Sequence, residues 1–483
     1  MAVIGNSPAT TGTTVSAQSF NGDNSTVNFT LNRSVNSTVD LEVLVDNVQQ
    51  SPYDSSYSVS GTTLTFSSAP ATGTNNIYVI YRGATIATAQ VIPDDGSVTN
   101  AKMANNAIEA TNIASNAVTV DKLNGGSVEG LMTTQFGRRN LIINGTMQVA
   151  QRGDQTGVTS TGYQAIDRYK FLINALGTWS ISQSSTAPEG FGNSMKITPT
   201  TADASPAAGD YFFLQHYIEG QDLQQLKKGT SNAQPVTMSF YVRCTKTGNV
   251  QVNLYDNDNS RIIGKVFSID SANTWEYKTL TFDGDTTGAL DNDNNLSLFW
   301  EMLLDGGTNW TSGTTPSAWE AASGSDRGAG TTLALADNTA NEFFITGVQL
   351  EVGSVATPFE HRSFGEELAL CQRYYWRAGW PSAHNGQPNI GLGFYLNNSR
   401  VDFVMDLPVT MRTTPSIVAN SGTNWWNAYT NGDDLFNSWS GVNAPTNNAF
   451  IIYTTSGVSG SAGNACLIGK KDSAASLAAD AEL

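Results

Sequence analysis

Apolar residues at every second position restrict this chain more than any other feature. Val236, Met238, Phe240 and Val242 alternate with polar neighbours, and Val250, Val252 and Leu254 repeat the pattern. The same period marks Val27, Phe29 and Leu31, then Leu41, Val43 and Val45, then Ile77, Val79 and Tyr81. Side chains two residues apart share one face of a strand, so each run predicts a half-buried strand. Glycine, serine, threonine and asparagine fill the intervals, and only 14% of the residues are charged. Short strands joined by polar turns follow, and the predicted fold class is all-β. At 483 residues the chain is long enough for several domains, each with its own core.

Charge and motifs exclude several functions. The net charge of −17 argues against nucleic acid as a partner, which needs a basic stripe. The longest apolar runs, such as "LEVLV" and "IYVIY", are too short to enter a bilayer as a spanning helix. The start "MAVIGNSPATTGTTV" has neither the basic nor the apolar region of a signal peptide. Cys244, Cys371 and Cys466 form no CxxC pair and read as buried free thiols, so no zinc site is expected. "DNDNS" from Asp256 and "DNDNN" from Asp291 offer alternating oxygens of the kind calcium takes, without the glycine and spaced glutamate of a calcium loop. Solvated turns are the preferred reading there, and no metal or cofactor is assigned.

Residues 96–123 repeat every ten positions: Val98, Ile108 and Val118 hold one phase, Met103, Ile113 and Leu123 the other. A step of five turns a helix by about 500°, and an odd step changes faces on a strand. Neither element buries such a stripe alone. Three parallel copies meeting on one axis would bury it; a polar tether is the competing reading, against which the strict register argues.

Particular stretches resemble parts of bacteriophage tail fibres. "FTLNRSV" and "DLEVLVDNVQQSPYDSSYSVSGTTLTFSSAPATGTNNIYVIYRG" are similar to the N-terminal domain of fibres from short-tailed phages, which fastens the fibre to the tail. The repeat is similar to the "V-T-x-x-K-hydrophobic-A" stretches of such fibres. "NLIINGTMQVAQRG", "DRYKF", "DLQQLKKG", "WEYKTLTF" and "FFITGVQLEVGSVATPFEHRS" resemble, in this order, the carbohydrate-binding-module-like jelly rolls of phage fibres. Common members have Trp after the Asp-Arg pair, where Tyr169 stands here, which weakens transfer of a sugar-stacking role to it. "CQRYYWRAG" with "LPVTMRTTPSI" resembles a distal fibre domain, usually a small trimeric β knob.

The resemblance implies an elongated homotrimeric fibre in four parts. These are an N-terminal β-sandwich for virion attachment (1–88), a repeat neck (89–138), a jelly roll (139–362) and a receptor-binding knob (363–483). One helix over 363–375 precedes the knob, because Ser363 and Glu366 have capping-box spacing and Leu368, Cys371 and Tyr375 share a face. A short helix ended by Gly229 is expected in "GQDLQQLKKGT". The implied partners are phage tail proteins, two further copies of the chain, and a host surface polysaccharide or lipopolysaccharide. The implied place is the virion, after assembly in the host cytoplasm. A head or collar fibre that reads no receptor is the alternative, and a glycan depolymerase the next.

Glycan contacts need aromatic faces beside fixed polar groups. Trp310 stands in the turn-rich "LLDGGTNWTSGTTPSAW", and Trp425, Trp426, Tyr429 and Trp439 in "NWWNAYTNGDDLFNSWSG". These five are the candidate contacts; Trp179, Tyr211 and Trp319 are weaker candidates on the same grounds. Packing where chains meet is the competing role for the C-terminal tryptophans. No catalytic residue is assigned: His216, His361 and His384 show no metal or nucleophile spacing, and no carboxylate pair stands in a distinctive frame, so no enzyme is expected.

Overall fold

The computed structural model describes residues 16–82, 138–379 and 389–483. They belong to two compact units, one within Met1–Ala114 and one within Ser115–Leu483. The repeat at 96–123, the neck assigned to it as far as residue 137, and Trp380 and His384 lie outside the described residues.

The first unit has six strands: β1 (Ala17–Gly22), β2 (Asn28–Val35), β3 (Leu41–Val45), β4 (Val48–Gln50), β5 (Tyr57–Phe66) and β6 (Gly73–Tyr81). One sheet runs β1-β6-β3-β4, and β2 pairs with β5 in a second. Phe29, Leu31, Val43, Leu64, Phe66, Ile77 and Val79 fill the space between them, so the alternating residues form the core of a small sandwich. Asp46 and Asn47 join β3 to β4 with φ of 51° and 62°, the left-handed pair a two-residue hairpin needs. "SVSGTT", whose serine, glycine and threonine residues favour a turn, instead lies inside β5. There Gly61, at φ 60°, pairs with Val35 where the register with β2 shifts, the extra residues lying on β2, and the chain does not reverse.

In the second unit the chain first builds a two-sheet jelly roll. Its early strands are β7 (Gln155–Val158), β8 (Gly162–Tyr163), β9 (Tyr169–Asn174), β10 (Thr178–Ser184), β11 (Ser194–Thr201) and β12 (Tyr211–Glu219). There follow β13 (Val236–Cys244), β14 (Gly248–Asp256), β15 (Arg261–Ile269), β16 (Glu276–Phe282) and β17 (Leu296–Gly306). A one-turn helix α1 (Thr308–Thr311), β18 (Glu320–Ala321) and β19 (Phe343–Val352) complete it. Six strands run β16-β13-β19-β11-β10-β7, and seven run β18-β15-β14-β17-β12-β9-β8. Between them Trp179 stacks on Phe212 at 3.9 Å, and Trp300 packs against Tyr169. Tyr169 is wholly buried, which removes it from any sugar-stacking role. The helix expected in "GQDLQQLKKGT" is two 3-10 turns, Gly220–Asp222 and Gln224–Leu226, because Lys227 and Gly229 both take positive φ and break the winding.

Helix α2 (Phe364–Gln372) follows, with the expected capping box between Ser363 and Glu366. Its Cys371, with Tyr374 beyond its end, packs against Ile143 and Val149 of the stretch before β7. The remaining strands are β20 (Tyr375–Arg377), β21 (Asn389–Asn397), β22 (Arg400–Asp406), β23 (Ser416–Ala419) and β24 (Trp426–Tyr429). Then come β25 (Asp433–Phe436), β26 (Gly441–Asn443), β27 (Ala449–Thr454), β28 (Ala465–Lys470) and β29 (Leu477–Asp480). Seven of these form the sheet β25-β24-β28-β21-β22-β27-β26, and three form β20-β29-β23. All three cysteines are buried and free.

Ion pairs tie this C-terminal region to the jelly roll. Arg168 is fully buried, with its guanidinium on Glu482 and over the Tyr374 ring at 3.4 Å. Arg373 pairs with Glu219 at 2.7 Å, and Gln151 donates to the Tyr375 carbonyl at 2.6 Å. The "DRYKF" and "QRYY" motifs thus meet at one seam.

Candidate functional site

Strand alternation divides the seven-stranded jelly-roll sheet into two faces. Leu214, Trp300, Met302, Val252 and Leu254 point into the core. Their neighbours Gln215, Glu301 and Asn253 therefore form a polar row on the outer face, in register across β12, β17 and β14. Tyr217, Phe299 and Tyr255 form an aromatic row beside it, with ring centroids 5.2 and 4.7 Å apart. Aromatic faces next to amides and a carboxylate are what a sugar site requires.

The chain closes this face itself. Arg327 donates to both oxygens of Glu301, at 2.8 Å from Nε to Oε1, and covers the rings of Phe213 and Trp310. Gln215 and Asn253 supply two more bonds to the same carboxylate, at 2.7 and 3.2 Å. Gln251 and Asn253 donate to the carbonyls of Asp326 and Arg327, both at 2.7 Å. Burial opposes the charge on Arg327, but Glu301 outweighs it and holds the guanidinium's pKa above its ordinary value. The polar row is wholly buried; Glu301 and Asn253 are hydrogen-bonded within the chain, and Gln215 donates to Glu301 while its own amide oxygen has no partner.

The candidate contacts separate accordingly. Trp310 lies edge-on to Tyr211 and Phe213, at 4.8 and 5.5 Å, as part of the closing segment. Trp426 is a correction: it is wholly buried and donates to the Asn420 carbonyl at 3.1 Å, so it is core and not a surface contact. Trp439 is wedged among Phe403, Trp426 and Phe436. Trp425 is half-buried, and its ring lies so close over Gly422 that a Cβ there would stand 2.0 Å from it. Of the five, Tyr429 is the most exposed, at 46%, and it stands on the outer face of β24. The structure does not gather them into one cleft.

Among the weaker choices, Trp179 is core and Trp319 donates to the Asp283 carbonyl at 2.7 Å. Asp256 is buried and engaged by Lys228 and Asn259, which takes its oxygens from any cation. Among the described residues, no three His, Cys, Asp or Glu side chains stand together as metal ligands. His216 is fully buried with its Nε2 3.1 Å from the Ile143 carbonyl, and burial together with Arg168 holds its pKa well below the usual value. It is therefore a neutral core residue.

Sequence reasoning missed the outer face of the C-terminal seven-stranded sheet. Leu392, Leu467 and Tyr429 lie in register on β21, β28 and β24, with Leu392 68% and Leu467 36% exposed. Val404 and Leu396 extend this apolar surface at 46% and 48% exposure. The signal was present in "IGLGFYL", where Leu392, Phe394 and Leu396 share the face opposite Tyr395, whereas in "RVDFVMDL" Val404 shares its face with Arg400, Asp402 and Asp406.

No family model matches the chain, and no curated protein matches it. Among solved structures it is similar to the enzymatically active domain of bacteriophage CBA120 tailspike protein 4, at 9% identity and a TM-score of 0.24. That likeness covers 44% of this chain, which spans 21% of the tailspike domain's own length. The module TmCBM61, in complex with β-1,4-galactotriose, is similar at 7% identity and a TM-score of 0.22, over 44% of this chain and 99% of the module. The family 11 carbohydrate-binding module of Clostridium thermocellum, in complex with a β-1,3-1,4-mixed-linked tetrasaccharide, is similar at 10% identity and a TM-score of 0.21. It is covered over 98% of its length by 42% of this chain.

Proposed function

We propose that the chain is the subunit of a homotrimeric phage tail fibre that docks to the tail and binds a host-surface glycan without cleaving it. The observation that carries this reading is the apolar outer face of the C-terminal sheet. Folded chains that work alone rarely leave several large apolar side chains exposed on one sheet face. Leu392, Leu467, Tyr429, Val404 and Leu396 span central as well as flanking strands, so a further copy of the chain is the natural cover. Assembly makes the glycan reading practical. Single sugar contacts of order 1 mM become useful when several identical sites act on one surface.

The test is the mass of the full chain in solution, beside a Leu392→Glu/Leu467→Glu variant. Three times 51.4 kDa is expected for the native chain, and a lower mass with unchanged far-ultraviolet circular dichroism for the variant. A monodisperse native monomer would overturn the fibre reading.

A further inference from the structure

The six-stranded jelly-roll sheet also has an outer face, and one end of it is built differently. On β13, Val236, Met238, Phe240 and Val242 enter the core, so Tyr241 points outward. Tyr277 on β16 is its register partner, with ring centroids 4.9 Å apart. On the other side of Tyr241, Phe191 lies across β19, 5.4 Å from the tyrosine ring. Three aromatic rings, inclined 47° and 56° to their neighbours, therefore cross three adjacent strands in a row about 10 Å long at the usual strand spacing.

Two features hold this row in place. Gly347 interrupts the β13–β19 register with φ 63°, and a Cβ there would stand 2.8 Å from the Phe191 ring. The bulge, which only glycine fits well, thus makes room for the ring. Next, the segment after β19 folds back over the sheet: Thr357 donates to the Glu351 carboxylate from N at 2.8 Å and Oγ1 at 2.6 Å. That return places Phe359 and His361 against Phe191, at 5.2 and 5.3 Å, as a second wall.

The result is an open depression of about 460 Å³, within the usual size range of small-molecule sites. Tyr277 is 48% exposed. Tyr241, Tyr277, Glu189 and His361 all line the depression, so phenol hydroxyls, a carboxylate and an imidazole stand beside the rings. Glu189 is the acidic group of the lining, which includes neither lysine nor arginine.

We infer that this depression is a binding site for a neutral glycan, whose pyranose rings stack on Tyr277, Tyr241 and Phe191 while Glu189 and the phenol hydroxyls take the sugar hydroxyls. The inference rests on the glycan reading above but places a contact on the jelly roll, away from the C-terminal sheet. Aromatic rings match the apolar face of a pyranose, and a carboxylate accepts strong bonds from hydroxyls. The same carboxylate, in a chain of net charge −17, disfavours uronic or sialic acids.

The experiment is saturation-transfer NMR on the full chain with maltohexaose, cellohexaose and xylohexaose at about 10 mM, enough to see millimolar binding. A hyaluronan hexasaccharide serves as the acidic probe. At least one neutral probe is expected to bind, with affinity about tenfold weaker or worse in Tyr241→Ala/Tyr277→Ala. Phe359→Ala, on the second wall, should weaken it less, and Trp425→Ala/Tyr429→Ala, which tests the contacts named on the C-terminal sheet, should weaken it less than Tyr241→Ala/Tyr277→Ala. Both double variants alter partly exposed side chains, and unchanged melting curves confirm their fold. If binding persists in the Tyr241/Tyr277 variant and is lost in the Trp425/Tyr429 variant, this site is refuted and the glycan reading survives. Preference for the acidic probe also refutes it, and no binding by any probe removes both.

Discussion

Replacing Arg327 by methionine would test whether the jelly roll's outer face is sealed by a buried ion pair. Glu301 is wholly inaccessible and accepts four bonds, of which Arg327 supplies two, one of them 2.8 Å long. Methionine keeps much of the apolar stem but leaves the carboxylate with two amide donors and no counter-charge. Removing one partner of a buried pair costs about 3–5 kcal/mol, because the remaining charge stays desolvated. Loss of the guanidinium over Phe213, 4.6 Å from the ring, adds about 1 kcal/mol. The cost should appear locally, in the amides of Gly328 and Gly330, which bond the Trp310 carbonyl and Gln251 Oε1. Hydrogen exchange there is expected to quicken by about a hundredfold or more, as 3 kcal/mol requires. The sign of a second change is more telling. Glu301→Gln added to Arg327→Met removes the stranded charge, so the double variant should exchange more slowly than the single one. A single variant with less than about a fivefold change, or a double variant worse than the single, would refute the account.

Two further outcomes follow from buried charge. The Asp305 carboxyl is pushed up to about 6 by burial, against the amides of Ala336 and Gly306, with Asp337 raising it and Lys246 lowering it. A carboxyl raised on folding favours the fold below its unfolded pKa near 3.8 and loses that contribution as pH rises through about 6. The stability of the native chain relative to Asp305→Asn should therefore fall by up to about 3 kcal/mol between pH 4 and pH 7, measured by urea unfolding at each pH. A pH-independent difference would contradict the assignment. Glu482→Ala strips buried Arg168 of its carboxylate partner and should cost about 3–5 kcal/mol at the seam. Calorimetry should then show the C-terminal region melting apart from the jelly roll, and an unchanged melting profile would refute that role.

What could be read from the sequence was local. Alternation at Val236 to Val242 and Val250 to Leu254 located β13 and β14 and the faces they bury, because strand periodicity is written in neighbouring residues. The capping box located α2 for the same reason. The closing of the outer face was not legible, since it depends on Arg327 reaching Glu301 from a segment without regular period. Trp425 and Trp426 show a finer limit. Trp426 opens β24 and is wholly buried, while Trp425, just before the strand, packs against the margin of the same core, and only the register of β24 with β28 decides which of the two is enclosed. "SVSGTT" carried turn residues, yet it runs through β5, where its glycine pairs with Val35 beyond the extra residues that β2 inserts.

The two large outer faces of the second unit differ in a way that bears on assembly. The jelly-roll face contains Gln215, Glu301 and Asn253, and the Glu301 charge above all is costly to bury unless it is bonded and paired. Their partners must come from the same chain at the moment of folding, and Arg327 and the carbonyls of its segment supply them. The C-terminal face around Leu392, Leu467 and Val404 has no such requirement. Apolar surface gains from burial whenever a cover arrives, and contact with water leaves no hydrogen bond unmade meanwhile. A chain that folds before it assembles can leave an apolar face uncovered and must seal a polar one. On the proposed assembly, the division between faces sealed by the chain itself and faces sealed by its copies follows from side-chain chemistry. A charge placed at Leu392 would therefore break association while sparing the fold, whereas a neutral residue at Arg327 would loosen the fold while sparing association.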